Sequence, residues 1–315
     1  MMGTGPFAVP TFESLITSEH NVVVLVTRPQ PPVRTRSKPP ANPMRDAAGK
    51  HAIEVIAPDD VNSEGARTQL AALRPDLFVV CDYGQILSPE TLAITPLGGI
   101  NLHGSLLPKY RGAAPVQWSV WKGDTETGVA VIHMTPQLDG GPCLITRSTS
   151  IGNDETAEQL EPRLSQLGVE PVHESIRMLE TWDRTSLIGV SQDQSLASRA
   201  PRLKKSDGNI DWHQTAAQIR NQIRALKPWP GSFTQWQRRE GQPMRLIVDQ
   251  VSLAIASSAD ATPGTIIQID DTGLQVATGE GVLLIRTLQP AGKRVMDAAA
   301  FLRGHSVNVG DLLGS

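Results

Sequence analysis

Three side chains of the 315-residue chain could together stabilise negative charge on a reacting carbonyl and move a proton. Asn101 and His103 are two positions apart, so in an extended strand both side chains point to the same face. An amide and an imidazole offer donors to a developing oxyanion, and imidazole exchanges a proton near neutral pH. Asp139 precedes two glycines, and a carboxylate near His103 would fix the imidazole tautomer and favour its protonated form.

The first half of the chain has the pattern of a sheet that could carry these residues. Four apolar, β-branched runs predict strands, at residues 21–27, 76–81, 99–103 and 127–134. Three stretches have helical periodicity, near residues 8–19, 60–73 and 113–122. This alternation predicts an α/β fold with a mostly parallel sheet, in which ligands bind at the carboxyl ends of strands. We therefore expect Asp139, which follows the fourth strand, at the same sheet edge as His103.

The second half of the chain has a different pattern. Residues 154–182 predict two helices with a break at Gly168, and residues 184–209 lack periodicity and form a predicted linker. A helix is expected over residues 211–226. Short alternating segments follow it between residues 245 and 288 and predict a small antiparallel barrel.

Composition excludes several classes of protein. No apolar run approaches the ~18 residues of a membrane-spanning helix. The two cysteines, Cys81 and Cys143, are too few for a disulfide framework or a cysteine zinc site, and they suit a reducing cytoplasm. The segment MMGTGPFAVP has neither the basic nor the apolar region of a signal peptide. No HExxH, CxxC or clustered His/Asp set predicts a bound metal.

Charge is distributed unevenly along a chain whose formal net charge is only −3. Residues 28–50 hold six Lys/Arg against one acid, and residues 199–249 hold ten against four. Residues 151–198 hold nine acids against three Arg. A polyanionic partner would be attracted by the first two regions and repelled by the third.

Several segments resemble one known family. NLHGSLLPKYRGAAP (101–115), followed by QLDGGP (137–142), resembles the active-site signature of the folate-dependent formyltransferases. CDYGQILSPETL (81–92) resembles the loop that holds the pterin ring in that family. Three later segments resemble the linker and second domain of its methionyl-tRNA formyltransferase branch: KKSDGNIDW (204–212), ALKPWPGSF (225–233) and LQPAGKRVM (288–296).

The resemblance implies transfer of a formyl group from 10-formyltetrahydrofolate to the α-amino group of methionyl-initiator tRNA, by a cytoplasmic monomer without a metal. It implies a Rossmann-like catalytic domain over residues 1–183, the linker over 184–209, and an OB-like β-barrel domain over 210–315 that contributes to tRNA binding. Asn101, His103 and Asp139 match the catalytic trio of the family. Asn101 and protonated His103 would donate to the formyl oxygen, and Asp139 would favour the imidazolium and hold a water.

The resemblance also implies binding residues. It assigns two loops to the folate, formed by Ser105, Leu106, Leu107 and Pro108 and by Tyr83, Gly84, Gln85, Ile86 and Leu87. It assigns to tRNA phosphates the side chains of Arg34, Arg36, Lys38, Lys204, Lys205, Lys293 and Arg294. Contacts of this kind position an RNA without reading its bases.

The chain departs from the family pattern at its first residues. The family has a full β-strand before the Gly-Thr turn, whereas here only Met1 and Met2 precede it. We therefore expect either a start upstream of Met1 or a sheet that lacks most of its first strand.

Other functions fit parts of the sequence. GTGPFA, at residues 3–8, fits a dinucleotide fingerprint, and Arg28 would suit a 2′-phosphate, as in an NADP-dependent reductase. A non-catalytic RNA-binding module would fit the basic regions. A nucleotide-sugar amine formyltransferase of the same family would share both domains.

Overall fold

The computed structural model describes residues 1–30, 42–239, 241–255 and 261–314. The chain forms two compact units. The first comprises Met1–Val116, Glu126–Ile151 and Gln159–Pro201, and the second comprises Gln117–Thr125, Gly152–Glu158 and Arg202–Ser315. Of the residues predicted as the linker, those up to Pro201 group with the first unit and those from Arg202 group with the second.

The elements are named in chain order. The α-helices of the described chain are α1 (Val9–Ile16), α2 (Pro43–Lys50), α3 (Glu64–Ala72), α4 (Pro89–Leu92), α5 (Pro115–Lys122), α6 (Ala157–Leu167), α7 (Val169–Glu180), α8 (Ala216–Ala225) and α9 (Ala298–Gly304). The first eight strands are β1 (Leu25–Val26), β2 (Val55–Ile56), β3 (Phe78–Val80), β4 (Gly99–His103), β5 (Arg111–Gly112), β6 (Glu126–His133), β7 (Cys143–Ser150) and β8 (Arg199–Ala200). The others are β9 (Ser232–Gln237), β10 (Met244–Ala254), β11 (Ile266–Asp270), β12 (Gly273–Ala277), β13 (Val282–Pro290), β14 (Met296–Asp297) and β15 (Leu312–Leu313).

The first unit contains a sheet that is parallel on one side and antiparallel on the other. β1 pairs with β2 and β3 pairs with β4, both in parallel. β6 pairs antiparallel with β4, and β7 pairs antiparallel with β6. The unit is therefore α/β, as predicted, but the expectation that the 127–134 strand runs parallel to its neighbours is wrong. This strand, β6, and its partner β7 form the side of the sheet away from β3.

Met1 and Met2 lie between β1 and β3. Met2 forms parallel bridges to both Val26 and Val80. The Met2 amide donates to the Val79 carbonyl at 2.8 Å, and the Met1 carbonyl accepts from the Val26 amide at 2.8 Å. The Met2 side chain is fully buried in the core of this unit. These two residues thus connect the β1–β2 pair to the four-stranded sheet.

The second unit is built on a curled antiparallel sheet. Its strands follow the order β11-β12-β13-β10-β9-β15, and β14 pairs with β13. The two edges meet at an antiparallel bridge between Thr265 and Leu312, which curls the sheet around an apolar core. The predicted alternating segments correspond to β10 through β13, whereas β9 and α9 were not predicted from periodicity.

Helix α8 packs against this sheet through one apolar face. Ile219 and Ile223 are buried in the same core as strand residues Leu246 and Leu283. Its first turn is closed by a capping box, since the Thr215 hydroxyl accepts from the Gln218 amide and the Gln218 side chain accepts from the Thr215 amide. The helix predicted over 211–226 begins later because this box sets its start.

Candidate active site

Asn101 and His103 lie at the carboxyl end of β4, next to parallel strand β3. The strand alternates as predicted, so both side chains leave the same face of the sheet. His103 is buried, with 6% of its surface exposed, and Asn101 is half-buried. Among the described residues, no hydrogen bond involves the side-chain amide of Asn101, so its N–H groups can donate to a substrate.

The tautomer of His103 follows from its backbone contact. Its Nε2 lies 2.9 Å from the carbonyl oxygen of Tyr110, which can only accept a hydrogen bond. Nε2 therefore carries the hydrogen, and Nδ1 of the neutral ring presents a lone pair. The sequence predicts that a carboxylate fixes the tautomer of His103, whereas in the structure the Tyr110 carbonyl fixes it.

Asp139 faces the other nitrogen of the imidazole. Its Oδ2 lies 3.8 Å from Nδ1 of His103, and 12% of its side chain is exposed. The same oxygen accepts a hydrogen bond from the Gly112 amide at 2.8 Å. When Nδ1 is protonated, the imidazolium therefore faces a nearly buried carboxylate, which stabilises the positive charge.

The path of the chain that brings Asp139 to His103 differs from the one expected. Because β6 is antiparallel to β4, its last residue, His133, pairs with Ile100 near the start of β4. The loop between β6 and β7 must then return toward the other end of β4 to bring Asp139 to His103. Asp139 has a φ of +48° in this loop, in the left-handed region that aspartate tolerates better than most residues.

The loop after β4 contains two residues that stabilise it from within. Ser105 is fully buried, and its hydroxyl donates to the Lys109 carbonyl at 2.6 Å. Leu107 is buried against Ala130 and Ile132 of β6. Leu106 and Pro108 are half-exposed. Of the four residues assigned to the folate here, these last two present side-chain surface.

The loop after β3 combines buried side chains with an open backbone. Tyr83 and Leu87 are buried in the core, whereas Gly84 is exposed and Ile86 is 62% exposed. Gly84 has a φ of +81°, which favours glycine. Among the described residues nothing pairs with the amides of Gly84 and Ile86 or with the Gly84 carbonyl. These groups are free to bond the polar edge of a flat ring.

Two side chains hold this loop in place. Gln85 turns inward, accepting from the Val61 amide at 2.9 Å and donating to the Pro58 carbonyl at 3.3 Å. Asn62 donates to the Ile86 carbonyl at 2.8 Å and accepts from the Ser88 amide at 2.7 Å. Sequence reasoning missed Asn62, which carries no motif; its position just before the N-terminus of α3 was the only signal.

Sequence reasoning also missed Gln192 and Arg111 as residues of the site. Gln192 Nε2 donates to the carbonyl oxygens of Asp139 and Gly141. Its Oε1 accepts from Arg111. Arg111 belongs to the YRG segment of the signature, but Gln192 lies in the aperiodic stretch predicted as a linker, where no local pattern marks it.

The residues assigned to tRNA fall into two groups. Arg34, Arg36 and Lys38 lie outside the described residues. The other four, Lys204, Lys205, Lys293 and Arg294, are exposed and form no ion pair with any described residue. Unpaired, exposed cations can approach phosphates without breaking an internal contact.

The GTGPFA turn does not present the donors of a dinucleotide site. The amides of Thr4 and Gly5 donate to the Asp82 carbonyl, at 2.9 Å and 3.4 Å. A Cβ added to Gly5 would lie 1.7 Å from Asp82 Oδ2, which puts a carboxylate where a pyrophosphate would approach. The next residue, Pro6, has no N–H. The turn is therefore closed to phosphate binding.

No cluster of three or more His, Cys, Asp or Glu side chains among the described residues has the arrangement of a metal site. No described helix combines the length and apolar character needed to cross a membrane.

Family models and known proteins match nearly the whole chain. The model of a family described as "Formyl transferase" matches residues 1–176, and that of "Formyl transferase, C-terminal domain" matches residues 202–306. A methionyl-tRNA formyltransferase of Rhodopirellula baltica is 44% identical, over 99% of this chain and 95% of that protein. Another, of Trichlorobacter lovleyi, is 42% identical with the same two coverages.

A solved structure has a similar fold. It is the N-formyltransferase from Helicobacter canadensis in complex with folinic acid and dTDP-3-aminofucose. The TM-score is 0.63 at 16% identity, with 90% of this chain and 96% of that chain covered. At this identity the similarity supports the fold alone.

Proposed function

The chain belongs to the formyl transferase family, and we propose that it transfers a formyl group from 10-formyltetrahydrofolate to the α-amino group of methionyl-initiator tRNA, the step that prepares the tRNA for translation initiation. Two relatives with that name, 44% and 42% identical over nearly their full length, support the proposal. The observation that carries it is the approach of Asp139 Oδ2 to His103 Nδ1 beside the unengaged amide of Asn101.

The three side chains divide the chemistry between them. The bound folate supplies an electrophilic formyl carbon, and the substrate amine is the nucleophile. The Asn101 amide and the His103 Nδ1–H donate to the formyl oxygen as it gains negative charge, each worth about 3 kcal/mol. Asp139 stabilises the imidazolium and accepts, through a water, the proton that the amine releases; the bond from the formyl carbon to the folate nitrogen then breaks, and the proton passes to that leaving nitrogen.

Folate recognition is assigned to the backbone of the loop after β3 and to the loop after β4. The open amides and carbonyl of residues 84–86 face the polar edge of the pterin, and Ile86 and Leu106 supply apolar surface. Tyr83, Gln85, Leu87, Ser105 and Leu107 act indirectly, because their side chains fix the shape of the two loops.

The second unit and the basic loop would bind the tRNA. Lys204, Lys205, Lys293 and Arg294 supply unpaired positive charge, and Arg34, Arg36 and Lys38 would add to it. We assign the curled sheet to an OB-like domain, a class that binds nucleic acids through such surfaces. The substrate and donor place the enzyme in the cytoplasm, where we expect a monomer.

Two alternatives are less well supported. An NADP-dependent reductase needs free amides in the GTGPFA turn, and those of Thr4 and Gly5 are occupied by Asp82. A nucleotide-sugar amine formyltransferase shares the fold, but the similarity to such a structure is at 16% identity. Incubation with 10-formyltetrahydrofolate and both kinds of amine, followed by mass detection of the product, separates these possibilities.

Substitution of the catalytic pair tests the mechanism. His103→Ala and Asp139→Ala should each lower kcat at least ~100-fold, because a charged partner of the transition state is lost. The Kd for tRNA should change little. His51→Ala, at an exposed histidine of the first unit, serves as the control. Turnover near that of the unmodified enzyme in either variant would contradict the assignment.

A further inference from the structure

The conformation of Asp139 depends on contacts from outside its own loop. Its φ of +48° is one that residues other than glycine adopt at a cost. The carboxylate has one described backbone donor, the Gly112 amide at 2.8 Å. This donor fixes one oxygen of the carboxylate but leaves the Asp139 peptide to be held by other groups.

Gln192 binds the backbone on both sides of the Gly140 peptide. Its Nε2 donates to the Asp139 carbonyl at 2.8 Å and to the Gly141 carbonyl at 2.7 Å. Both acceptors are in the loop that carries the catalytic carboxylate. The carbonyls can only accept, so the amide nitrogen of Gln192 must face them.

The other end of the Gln192 amide is bound by Arg111. Oε1 of Gln192 accepts from Arg111 Nη2 at 2.6 Å and from Nε at 3.1 Å. A guanidinium only donates, so this contact orients the amide in the same sense as the two carbonyls do. The side chain of Gln192 is therefore held at both ends, and its rotation about the last bond is fixed.

Arg111 and Gly112 are themselves fixed by strand pairing. They form β5, which pairs in parallel with β8. A Cβ on Gly112 would lie 2.5 Å from the Ala200 carbonyl oxygen, which shows how closely the two segments pack. Residues 111 and 112 thus hold Asp139 twice, directly through the Gly112 amide and indirectly through Arg111 and Gln192.

We propose that Gln192 is a positioning residue that holds the Asp139 carboxylate opposite Nδ1 of His103. This inference rests on the proposed formyl transfer. Gln192 does not touch the imidazole, and its action is on the Asp139 peptide. Its loss should let the carboxylate move away from Nδ1 and should lower kcat, while the folate loops remain as they are.

Two substitutions of Gln192 test the contacts. Gln192→Ala removes all of them, and Gln192→Glu keeps an acceptor for Arg111 while losing both donors to the Asp139 loop. Each should lower kcat by about 10- to 100-fold, since small displacements of catalytic groups have effects of this size. The KM for 10-formyltetrahydrofolate and the Tm should stay close to those of the unmodified enzyme.

Gln194→Ala is the matched control. Gln194 also accepts from Arg111, through Nη1 at 2.9 Å, and it accepts a longer hydrogen bond of 3.5 Å from the Gln137 side chain, but among the described residues it makes no hydrogen bond with the backbone of residues 139–141. The control should retain the kcat of the unmodified enzyme. An equal loss of kcat in the Gln192 and Gln194 variants would assign the effect to Arg111 and overturn the proposal.

A double-mutant cycle separates positioning from general stability. If Gln192 acts through Asp139, adding Gln192→Ala to Asp139→Ala should change the residual rate by less than about twofold. An additive loss, an unchanged kcat in Gln192→Ala, or a loss of kcat accompanied by a lower Tm would each overturn the inference. Absence of formylation by the unmodified enzyme would instead contradict the proposed function.

Discussion

At the scale of single residues, the chemistry depends on which nitrogen of His103 faces the reaction. The Tyr110 carbonyl accepts from Nε2, so Nδ1 is left to face Asp139 and, in the proposed reaction, the substrate. The neutral backbone acceptor therefore does the orienting, and the charged Asp139 remains free to stabilise the imidazolium.

Substitution of Tyr83 tests whether its buried hydroxyl lacks a hydrogen-bond partner. It is 2% exposed, and among the described residues its hydroxyl has no hydrogen-bond partner. Tyr83→Phe should therefore stabilise the folded chain by about 1 kcal/mol at pH 7.5. Thermal unfolding should show a Tm higher by about 2–4 °C.

The pH dependence of this variant adds a second readout. Burial raises the pKa of Tyr83 to about 12. As pH rises above the unfolded-state pKa, the phenol ionises in the unfolded chain first, so the parent enzyme loses stability that the Phe variant keeps. The gap in Tm should widen between pH 7.5 and pH 10.5. A lower Tm for the variant at pH 7.5 would mean that the hydroxyl has a partner.

At the scale of elements, the candidate site consists of loops whose conformations are fixed by contacts with neighbouring segments. The loop after β3 exposes its backbone at residues 84–86 because Asn62 and Gln85 fix it against the segment before α3. The loop after β6 begins near the opposite end of β4, because β6 runs antiparallel to β4, and it returns along the sheet to bring Asp139 to His103. In both cases the residues that bind or react are separate from the residues that hold the loop.

Asn62→Ala tests the loop after β3. The substitution removes a donor to the Ile86 carbonyl and an acceptor for the Ser88 amide and the Thr91 hydroxyl. The free loop should then sample several conformations, and the cost of ordering it should raise the KM for 10-formyltetrahydrofolate about tenfold, equivalent to about 1.4 kcal/mol. Steady-state kinetics at saturating folate should show little change in kcat.

A control on the neighbouring helix makes this result specific. Gln69→Ala replaces an exposed side chain of α3 and should leave the KM unaltered. A fall in kcat with no change in KM in Asn62→Ala would show that the loop serves catalysis and not folate binding.

At the scale of the whole molecule, the net charge of −3 conceals two basic segments and one acidic segment of the sequence. Basic residues concentrate in 28–50 and 199–249, and acidic residues concentrate in 151–198. Such segregation attracts a polyanion to some surfaces and repels it from others, which orients it on approach. The proposed tRNA substrate is a polyanion of this kind.

Removal of the exposed cations should change the salt dependence of tRNA binding. Lys204→Ala/Lys205→Ala and Lys293→Ala/Arg294→Ala should each raise the Kd. Each lost phosphate contact should make the slope of log K against log salt shallower by roughly 0.7–0.9. The kcat at saturating tRNA should be maintained, because these side chains position the RNA and do not touch the reacting atoms.

Arg303→Ala, which removes one exposed cation, supplies a control for these variants. Arg303 is an exposed cation in the last turn of α9, outside the segments assigned to the tRNA. An unchanged slope in either double variant, or an equal change in the control, would remove that pair from the interface.

The amino-acid sequence by itself determined the local features of this protein. The two-residue period of a strand places Asn101 and His103 on one face of β4, and the four apolar runs of the first half lie where strands β1, β3, β4 and β6 form. The signature segments indicate the family, and the alternating runs of the second half predict its antiparallel sheet. These features depend on residues close together in the chain, where periodicity and turn chemistry act.

Only the tertiary structure decided how the site is assembled. Asp139 meets His103 because an antiparallel strand is followed by a returning loop, and no local pattern distinguishes this strand from a parallel one. Gln192 bonds to Asp139 across 53 positions, and Asn62 bonds to Ile86 across 24. Contacts of this separation exist only once the sheet has brought distant segments together, so neither side chain is marked by its sequence neighbours.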